Sequence, residues 1–459
     1  MITPSHIHND VRVKIALLHL PLEEQRACKQ CHRLELHALL RLLFPLGVVV
    51  GVVLLLSEAR SSIGLGRSSL AMSEGQRLDI ATESLLIDPS TILEMQIEAP
   101  PQPSAVAFAE IDGSSRWTLG PPPVLEGTSH AAAPLHPRNE QGVYLTPSSV
   151  GNEDLLRDTM DRLTSSPHPA LVIDVKGSYV YFASGAPLAH ELKLVRQAYD
   201  LPAIVRGAHA RGISVIARFI ALKDPSLAMR KPETQIRHTL RGRSVGPVWV
   251  DGGNDTTLQY NREILEDLVM SGIDEINLDY IRYPTEYAQQ SIGLSGAQKA
   301  ERITEFLRMA RAVIDASGRD VRLGISTFAI LGWNFPVNFE PLGQDIAAFA
   351  EIVDVISPMA YPSTFSIHAY YDPSRDKGSR MYHLVRRTLE GYRELVGESH
   401  AHKIRPWIQG YGVTEKNMSD QIQAVYDAGF CGFTVWSASN AYQPTYKALQ
   451  KMEVPDACK

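Results

Sequence analysis

Residues 275–284 bring together residue types that could do acid–base chemistry. An apolar run leads into a carboxylate, Asp279, and an arginine, Arg282, follows three residues later. A helical pattern closed by Gly272 precedes the run, which is therefore predicted to be a buried parallel strand. A carboxylate at the carboxyl end of such a strand can serve as a nucleophile or a general acid, although it could instead cap the next helix or pair with Arg282. We predict that Asp279 is a catalytic residue.

Similar chemistry-bearing residues stand at the ends of the other predicted strands. They are the acids, amides, cations and aromatic residues Tyr144, Asp174, Lys176, Arg218, Asp224, Arg282, Tyr361, Trp407, Gln409, Trp436 and Asn440. A sugar site needs this combination, because carboxylates supply acid and base or nucleophile and flat aromatic faces stack on pyranose rings. Core packing is the alternative for each individual aromatic residue. We predict Asp174 as the catalytic partner of Asp279, Arg218 and Arg282 as cations that keep Asp279 ionised, and the remainder as substrate contacts.

The elements that must position these residues alternate regularly from Gly142 onward. The predicted strands span residues 143–146, 170–175, 214–220, 275–279, 321–326, 353–357, 405–409 and 433–436. Helical patterns follow them, and several end in a glycine before the next strand. Eight such pairs in about 310 residues predict an α/β fold, the (β/α)8 TIM barrel. A doubly wound open sheet is the alternative, but it normally carries a glycine-rich phosphate loop where this chain has residues 146–149, Thr-Pro-Ser-Ser.

The bulk composition is that of an ordinary globular protein, with 44% hydrophobic and 21% charged residues. A net charge of -6 offers no basic patch, so no nucleic-acid partner is predicted. Four cysteines in 459 residues argue against a disulfide framework, and Cys431 and Cys458 are predicted to be unbridged thiols. The barrel region has no pair of histidines at ligand spacing, so neither a metal nor another cofactor is predicted.

The amino-terminal part of the chain has a different character. Residues 42–57 carry an apolar run, and Arg26, Lys29, Arg33 and Arg41 are among the cations that precede it. The positive-inside rule then makes residues 1–41 cytoplasmic and the run a transmembrane anchor helix. Because the run is shorter than the ~20 residues of a typical spanning helix, a signal-peptide core is an alternative, and a buried core helix is another.

Residues 58–140 are rich in proline, serine and glycine and are predicted to form a disordered spacer. The barrel itself is predicted to occupy residues 141–452. An anchor followed by such a spacer places the barrel outside the cytoplasm, in the periplasm or at the cell surface. A protein secreted after signal cleavage is the alternative.

Motifs along the whole barrel resemble the glycosyl hydrolase family catalogued as domain of unknown function 4015. They are GVYLT at 142–146, VIDVK at 172–176, IAR at 216–218, KDP at 223–225, LDYIRYP at 278–284, GQD at 343–345, ISPMAYPS at 356–363 and WSASN at 436–440. The resemblance extends to about residue 447 and implies a TIM barrel with glycosidase activity. It also implies Asp174 and Asp279 as acids of the site, lined by Arg218, Arg282 and Tyr361.

One departure from that family concerns a second carboxylate. Such proteins often carry an aspartate after the fifth strand, in a pattern like Ser-Ala-Asp-Val-Phe-Gly, where this chain has Ser326. If that aspartate is catalytic, the activity of this chain is impaired, or Asp174 or Asp224 takes its place. A more distant similarity to chitinase-like glycosidases rests on Trp436 and the Met-Ala-Tyr sequence at 359–361, although the position of their catalytic glutamate is an isoleucine here.

Functions from different classes remain open at this point. The first is an exported, membrane-anchored glycoside hydrolase that acts on an extracellular or cell-surface polysaccharide through Asp279. The second is a barrel that binds polysaccharide without cleaving it, for which Ser326 is the motivation. A third is a metal-dependent barrel hydrolase such as a deacetylase, against which the lack of clustered histidines counts.

Overall fold

The computed structural model describes residues 139–459, apart from residues 239–242, 245–247, 286–291 and 368. Within this part of the chain, eight parallel strands close into a barrel. They are β1 (Gln141–Leu145), β2 (Pro169–Lys176), β3 (Ser214–Ile220), β4 (Glu275–Asp279), β5 (Arg322–Phe328), β6 (Val355–Ala360), β7 (Trp407–Gln409) and β8 (Phe433–Trp436). The predicted segments 1–41, 42–57 and 58–138 lie outside the described residues.

The strands follow one another around the barrel in chain order. Each pairs in parallel with its neighbours, and β1 closes the ring by pairing with β8, with Gln141 opposite Phe433. An open doubly wound sheet would leave two unpaired edges, so the predicted (β/α)8 barrel is confirmed.

Helices cover the outside of the barrel between the strands. They are α1 (Pro147–Val150), α2 (Glu153–Leu163), α3 (Pro187–Glu191), α4 (Leu201–His209), α5 (Pro225–Arg230), α6 (Asp255–Val269), α7 (Gly296–Ser317), α8 (Phe335–Leu342), α9 (Ile346–Ala350), α10 (Arg380–Val396), α11 (Glu415–Asp427) and α12 (Gln443–Lys451). The sequence pattern did not predict α1, α3, α5 and α8, since 4 to 8 residues are too few to show a 3.6-residue period. In the described part of the chain, no helix is long and apolar enough to cross a membrane.

A register shift in β2 decides which way its last side chains point. Asp174 pairs with Arg218 of β3, but Lys176 pairs with the next residue, Phe219, so one residue is extra on β2. Because side chains alternate along a strand, the extra residue turns Lys176 from the barrel interior to its outside. Its ammonium lies 5.1 Å from the ring of Phe219 and 5.4 Å from that of Tyr260 on α6.

Buried ion pairs close the amino-terminal end of the barrel. Arg405 is fully buried and donates to the two carboxylate oxygens of Glu275 at 2.8 and 2.6 Å, and to Glu140 at 3.2 Å. Burial alone would lower the pKa of Arg405, but these two carboxylates raise it above its ordinary value, so it stays charged. Arg322 pairs with both acids as well. This end is therefore filled by structural charges.

A disulfide joins Cys431 to Cys458, so the prediction of unbridged thiols is wrong. Their Cα atoms lie 5.2 Å apart, although 27 residues separate them in the sequence. The approach comes from the short helical turn Asp456–Cys458, which packs Cys458 into the core beside the start of β8. No local sequence pattern links the two cysteines, and the folded barrel brings them together.

We expect the double substitution Cys431→Ser with Cys458→Ser to lower the free energy of unfolding by about 2–4 kcal/mol, because the crosslink restricts the unfolded chain. Urea unfolding of the oxidised protein and of the double variant measures the difference. Wild-type protein unfolded with a reductant is the control and should lose a similar amount. An unchanged midpoint in the double variant would contradict the expected role of the crosslink.

Candidate active site

A cavity of about 1240 Å³, counted to its open mouth, lies at the carboxyl ends of the barrel strands. Its polar lining comes from residues at or near those ends, namely Arg218, Asp279, Tyr280, Arg282, Ser326 and Gln344. Its aromatic lining includes Phe328, Tyr361, Phe365, Trp407, Tyr411 and Trp436. Aromatic surface with a few converging polar groups is the usual composition of a ligand site, and this end of the barrel is where TIM-barrel enzymes hold their active sites.

Asp279 is the acid that lines this cavity among the described residues. Arg218 donates to Oδ2 of Asp279 from Nε at 2.8 Å and approaches the same oxygen with Nη2 at 2.7 Å. The backbone N–H of Tyr280 donates to Oδ1 at 2.6 Å. These bonds fix the orientation of the carboxylate and leave both of its oxygens acting as acceptors.

Tyr280 holds an unusual backbone conformation next to this carboxylate. Its φ is 52°, in the left-handed region that residues other than glycine rarely adopt. Such a conformation costs of order 1–3 kcal/mol and is concentrated at functional sites. Here it accompanies the bond from the Tyr280 N–H to Asp279, so the strain coincides with the predicted catalytic group.

Asp174 lies behind Arg218 rather than in the cavity lining. Nη1 of Arg218 donates to Oδ1 of Asp174 at 2.6 Å, and the hydroxyl of Tyr144 donates to Oδ2 at 2.7 Å. Burial raises the pKa of Asp174, and Arg218 and Tyr144 partly offset that rise. Burial opposes the charge of Arg218, but Asp174 and Asp279 raise its pKa well above its ordinary value. The arrangement favours a role for Asp174 in holding Arg218, and its role as a second catalytic carboxylate stays a prediction.

An aromatic group surrounds Trp436 at the end of β8. Its ring stacks at 6.4 Å on Tyr144 and at 5.8 Å on Tyr361, and Tyr411 meets it edge-on at 5.3 Å. Burial and the nearby charge of Asp279 raise the pKa of Tyr361 well above its ordinary value, so its hydroxyl keeps its proton at neutral pH. Trp436 and Tyr361 therefore offer sugar rings an apolar surface and a hydrogen-bond donor.

Arg282 lines another part of the cavity. Its guanidinium lies 4.7 Å from the ring of Trp249 and 4.4 Å from that of Phe328, and Nη1 donates to the carbonyl of Tyr283 at 2.9 Å. The sequence reasoning included Arg282 but missed Trp249 and Phe328. Phe328 lies two residues after Ser326 on the same face of β5, so the two-residue period of a strand was a signal that could have identified it.

Lys176 and Asp224 are not among the residues that line the cavity, and their role as substrate contacts stays a prediction. They form an ion pair of 2.8 Å with both side chains fully buried, on the outside of the barrel. Lys176 also donates to the carbonyl of Ile220 at 2.7 Å, and Asp224 caps α5 by accepting from the N–H of Leu227. The register shift in β2 is the physical reason, since it turns Lys176 away from the interior.

Gln409 and Asn440 also have structural contacts in place of a cavity position. Gln409 accepts from the N–H of Ser363 at 2.9 Å and donates to the carbonyl of Tyr411 at 2.9 Å. Asn440 accepts from the N–H of Thr146 and donates to the carbonyl of Tyr144, each at 3.0 Å. These amides tie the ends of neighbouring strands together, and their role as direct substrate contacts stays a prediction. Within the described residues, no cluster of acids, histidines and cysteines could hold a metal ion.

Known proteins resemble the chain in sequence and fold. A family model described as "Putative glycosyl hydrolase domain" (DUF4015) matches residues 142–442. The glycoside hydrolase domain of PgaB (BpsB) from Bordetella bronchiseptica is 15% identical, with 69% of this chain and 98% of that chain covered and a TM-score of 0.53. A hypothetical protein from Ruminiclostridium thermocellum ATCC 27405 is 30% identical, with 39% and 96% covered and a TM-score of 0.34. A chitinase from Chromobacterium violaceum ATCC 12472 is 13% identical, with 68% and 98% covered and a TM-score of 0.42. No curated protein matches the chain.

Proposed function

Because the chain belongs to the family described as a putative glycosyl hydrolase domain, we propose that it hydrolyses glycosidic bonds of a polysaccharide or oligosaccharide with Asp279 as its catalytic carboxylate. The observation that carries this proposal is the position of Asp279. The carboxylate stands at the end of β4, where Arg218 contacts it and aromatic side chains line the cavity around it. Glycoside hydrolysis uses such a carboxylate next to a ring-stacking surface.

The contacts of Asp279 favour one role over another. Both carboxylate oxygens of Asp279 accept hydrogen bonds in the structure, one from Arg218 and the other from the N–H of Tyr280. An ionised carboxylate acts as the nucleophile of a retaining enzyme or the base of an inverting one, whereas the general acid must carry a proton. We therefore assign Asp279 to the attack on the anomeric carbon or on the water that reaches it.

The test is the release of reducing ends from defined glycans by the full-length protein. A suitable panel contains chitohexaose, cellohexaose, laminarihexaose, xylohexaose, alginate hexamers and peptidoglycan glycan strands. We expect release from at least one of them, and the anomeric configuration of the first product then separates retention from inversion. Binding of a glycan with no release from any member of the panel would contradict hydrolysis.

The second candidate is a barrel that binds polysaccharide without cleaving it. Two observations favour it: Asp279 is the one acid among the described cavity-lining residues, and Ser326 carries no carboxylate. Trp436→Ala should then abolish glycan binding while Asp279→Asn leaves it unchanged, and no reducing ends should appear with the wild type. Hydrolysis by the wild type would exclude this candidate.

We also propose that the barrel works outside the cytoplasm, held by a membrane anchor at residues 42–57. The disulfide between Cys431 and Cys458 supports this location, because such crosslinks persist in oxidising compartments and are rare in the cytosol. Protease added to intact spheroplasts should digest the barrel if it lies outside the cytoplasmic membrane. Protection of the barrel until the cells are lysed would contradict this location.

A further inference from the structure

The hydroxyl of Ser326 lies between the cavity and the interior of the barrel. Ser326 lines the cavity, yet only 2% of it is exposed. Its Oγ accepts a hydrogen bond from Nε1 of Trp407 at 2.9 Å and donates to Oδ1 of Asn277 at 2.7 Å. Both bonds have good lengths and both lie within the protein interior. The hydroxyl of Ser326 therefore uses its proton and one acceptor position within the barrel interior.

The directions of these bonds follow from the donor inventory. An indole N–H can only donate, so Oγ of Ser326 must be the acceptor for Trp407. The single hydroxyl proton of Ser326 must then go to a different acceptor, which is the amide oxygen of Asn277. The amide nitrogen of Asn277 faces Oγ of Ser357 at 3.4 Å and Glu275 at 3.5 Å. Glu275 is held in turn by the buried Arg405. The contacts of Asn277 and Glu275 in the barrel interior thus fix the direction of the hydrogen bond between Ser326 and Trp407.

Trp407 forms the floor of the cavity. It is 2% exposed, it lines the cavity, and it packs in the barrel interior with Tyr144, Val172 and Tyr361. Its N–H is its one polar group, and a buried N–H without an acceptor costs about 1–3 kcal/mol. Ser326 supplies that acceptor, so the orientation of the indole ring depends on the serine.

The same floor lies next to the predicted catalytic group. Leu278 of β4 pairs with Ile325 of β5, so Asp279 and Ser326 are neighbours on adjacent strands. Both line the same cavity. Tyr361 belongs to the same buried cluster as Trp407, and Trp436 packs against that cluster, so a tilt of the indole would shift the two rings that face a sugar beside Asp279.

We propose that Ser326 is a positioning residue that fixes the indole of Trp407, the buried support of the cluster in which Tyr361 and Trp436 present their rings to the sugar next to Asp279. This inference rests on the proposed function, because it requires that a glycan binds in the cavity. It also gives position 326 a role that needs no carboxylate: the side chain acts through Trp407 and does not touch the substrate.

The test is a double-mutant cycle on glycan affinity with the full-length protein. Its members are the wild type, Ser326→Ala, Trp407→Phe and the double variant, titrated by calorimetry with whichever glycan of the panel above the wild type binds most tightly. We expect Ser326→Ala to weaken binding about fivefold in the wild type, the value of one lost hydrogen bond, and by less than about twofold in the Trp407→Phe background. An equal loss in both backgrounds, or no loss in either, would overturn the inference.

Further variants separate positioning from a general loss of structure. Ser166→Ala makes the same substitution at a buried serine outside this network, which donates to Gln141 at 3.0 Å, and should leave affinity unchanged. Ser326→Thr keeps the hydroxyl and should restore the affinity that Ser326→Ala loses. In Ser326→Ala, KM should change more than kcat. If Ser326→Ala does not fold, a Ser326→Thr variant that folds but binds as weakly as Trp407→Phe overturns the inference. A wild type that binds no glycan removes the proposed function as well, whereas an additive cycle with intact binding removes this inference alone.

Discussion

Replacing Asp279 by asparagine is expected to lower kcat by about 10²–10⁴-fold, the usual contribution of a positioned acid–base or nucleophilic group. The amide has nearly the same size and its oxygen can still accept from Arg218, so the cavity keeps its shape. What the variant loses is the negative charge that attacks the anomeric carbon or activates water. KM should stay within about threefold, because Trp407 and Trp436 still line the cavity. Initial rates of reducing-end release from a panel glycan measure both constants.

The matched control is Asp315→Asn, which makes the same chemical change on the surface of α7. The side chain of Asp315 is 65% exposed and pairs with Arg311 in an i,i+4 arrangement. Exposed pairs of this kind contribute about 0–1 kcal/mol, so the control should keep wild-type kcat and stability. An Asp279→Asn variant that retains more than about a tenth of the wild-type rate would exclude Asp279 as the catalytic carboxylate.

Arg218→Met is expected to have the second large effect, on both stability and pH dependence. Arg218 is the cation between two buried carboxylates, and removing one partner of a buried ion pair costs about 3–5 kcal/mol. Burial already raises the pKa of Asp174, and Arg218 lowers it, so loss of the arginine raises that pKa further. Asp174, which shares Arg218 with Asp279 in the wild type, then keeps its proton up to higher pH. The acid limb of the pH–rate profile should therefore move toward neutral pH, and urea unfolding should show the loss of stability.

Arg386→Met provides the comparison for this prediction. Arg386 pairs with Glu390 on α10, and both side chains are partly exposed, at 40% and 42%. The pair should contribute less than about 1 kcal/mol, and the pH–rate profile should not move. If Arg218→Met showed the stability and pH profile of this control, the ion pairs to Asp174 and Asp279 would contribute to neither stability nor the pH dependence of the rate.

The barrel and several residues that line the cavity could be predicted because the signals for them are local. The predicted strands at residues 214–220 and 275–279 have the bounds of β3 and β4 in the structure. In a TIM barrel, consecutive strands are neighbours, so Arg218 on β3 and Asp279 on β4 had to approach each other. The contact between them follows from chain order alone.

Features that depend on a single extra residue were not predictable in this way. Alternation along β2 put Asp174 and Lys176 on the same face, and both were predicted to line the site. The register shift between them sends Lys176 to the outside, where Asp224 neutralises it. No residue type in the VIDVK sequence marks the shift, since it arises from the pairing of β2 with β3. A one-residue change of this kind reverses the face of every side chain beyond it.

Contacts between distant parts of the chain were also beyond the sequence pattern. The indole of Trp407 meets Ser326 across 81 residues, and Cys431 meets Cys458 across 27. Each depends on side-chain direction and on the exact closure of the barrel, which periodicity does not encode. Trp407 was expected in the site as a strand-end aromatic residue, but its fixed orientation emerges only from the packed interior.

The most direct test of the central claim is a crystal structure of the Asp279→Asn protein soaked with a panel glycan that the wild type cleaves. We expect a sugar ring stacked on Trp436 in the cavity, with its anomeric carbon about 3–3.5 Å from the side-chain oxygen of residue 279, or with one ordered water between them. A glycan bound elsewhere on the barrel, or held in the cavity with its glycosidic bonds out of reach of residue 279, would contradict the assignment of Asp279 as the catalytic carboxylate.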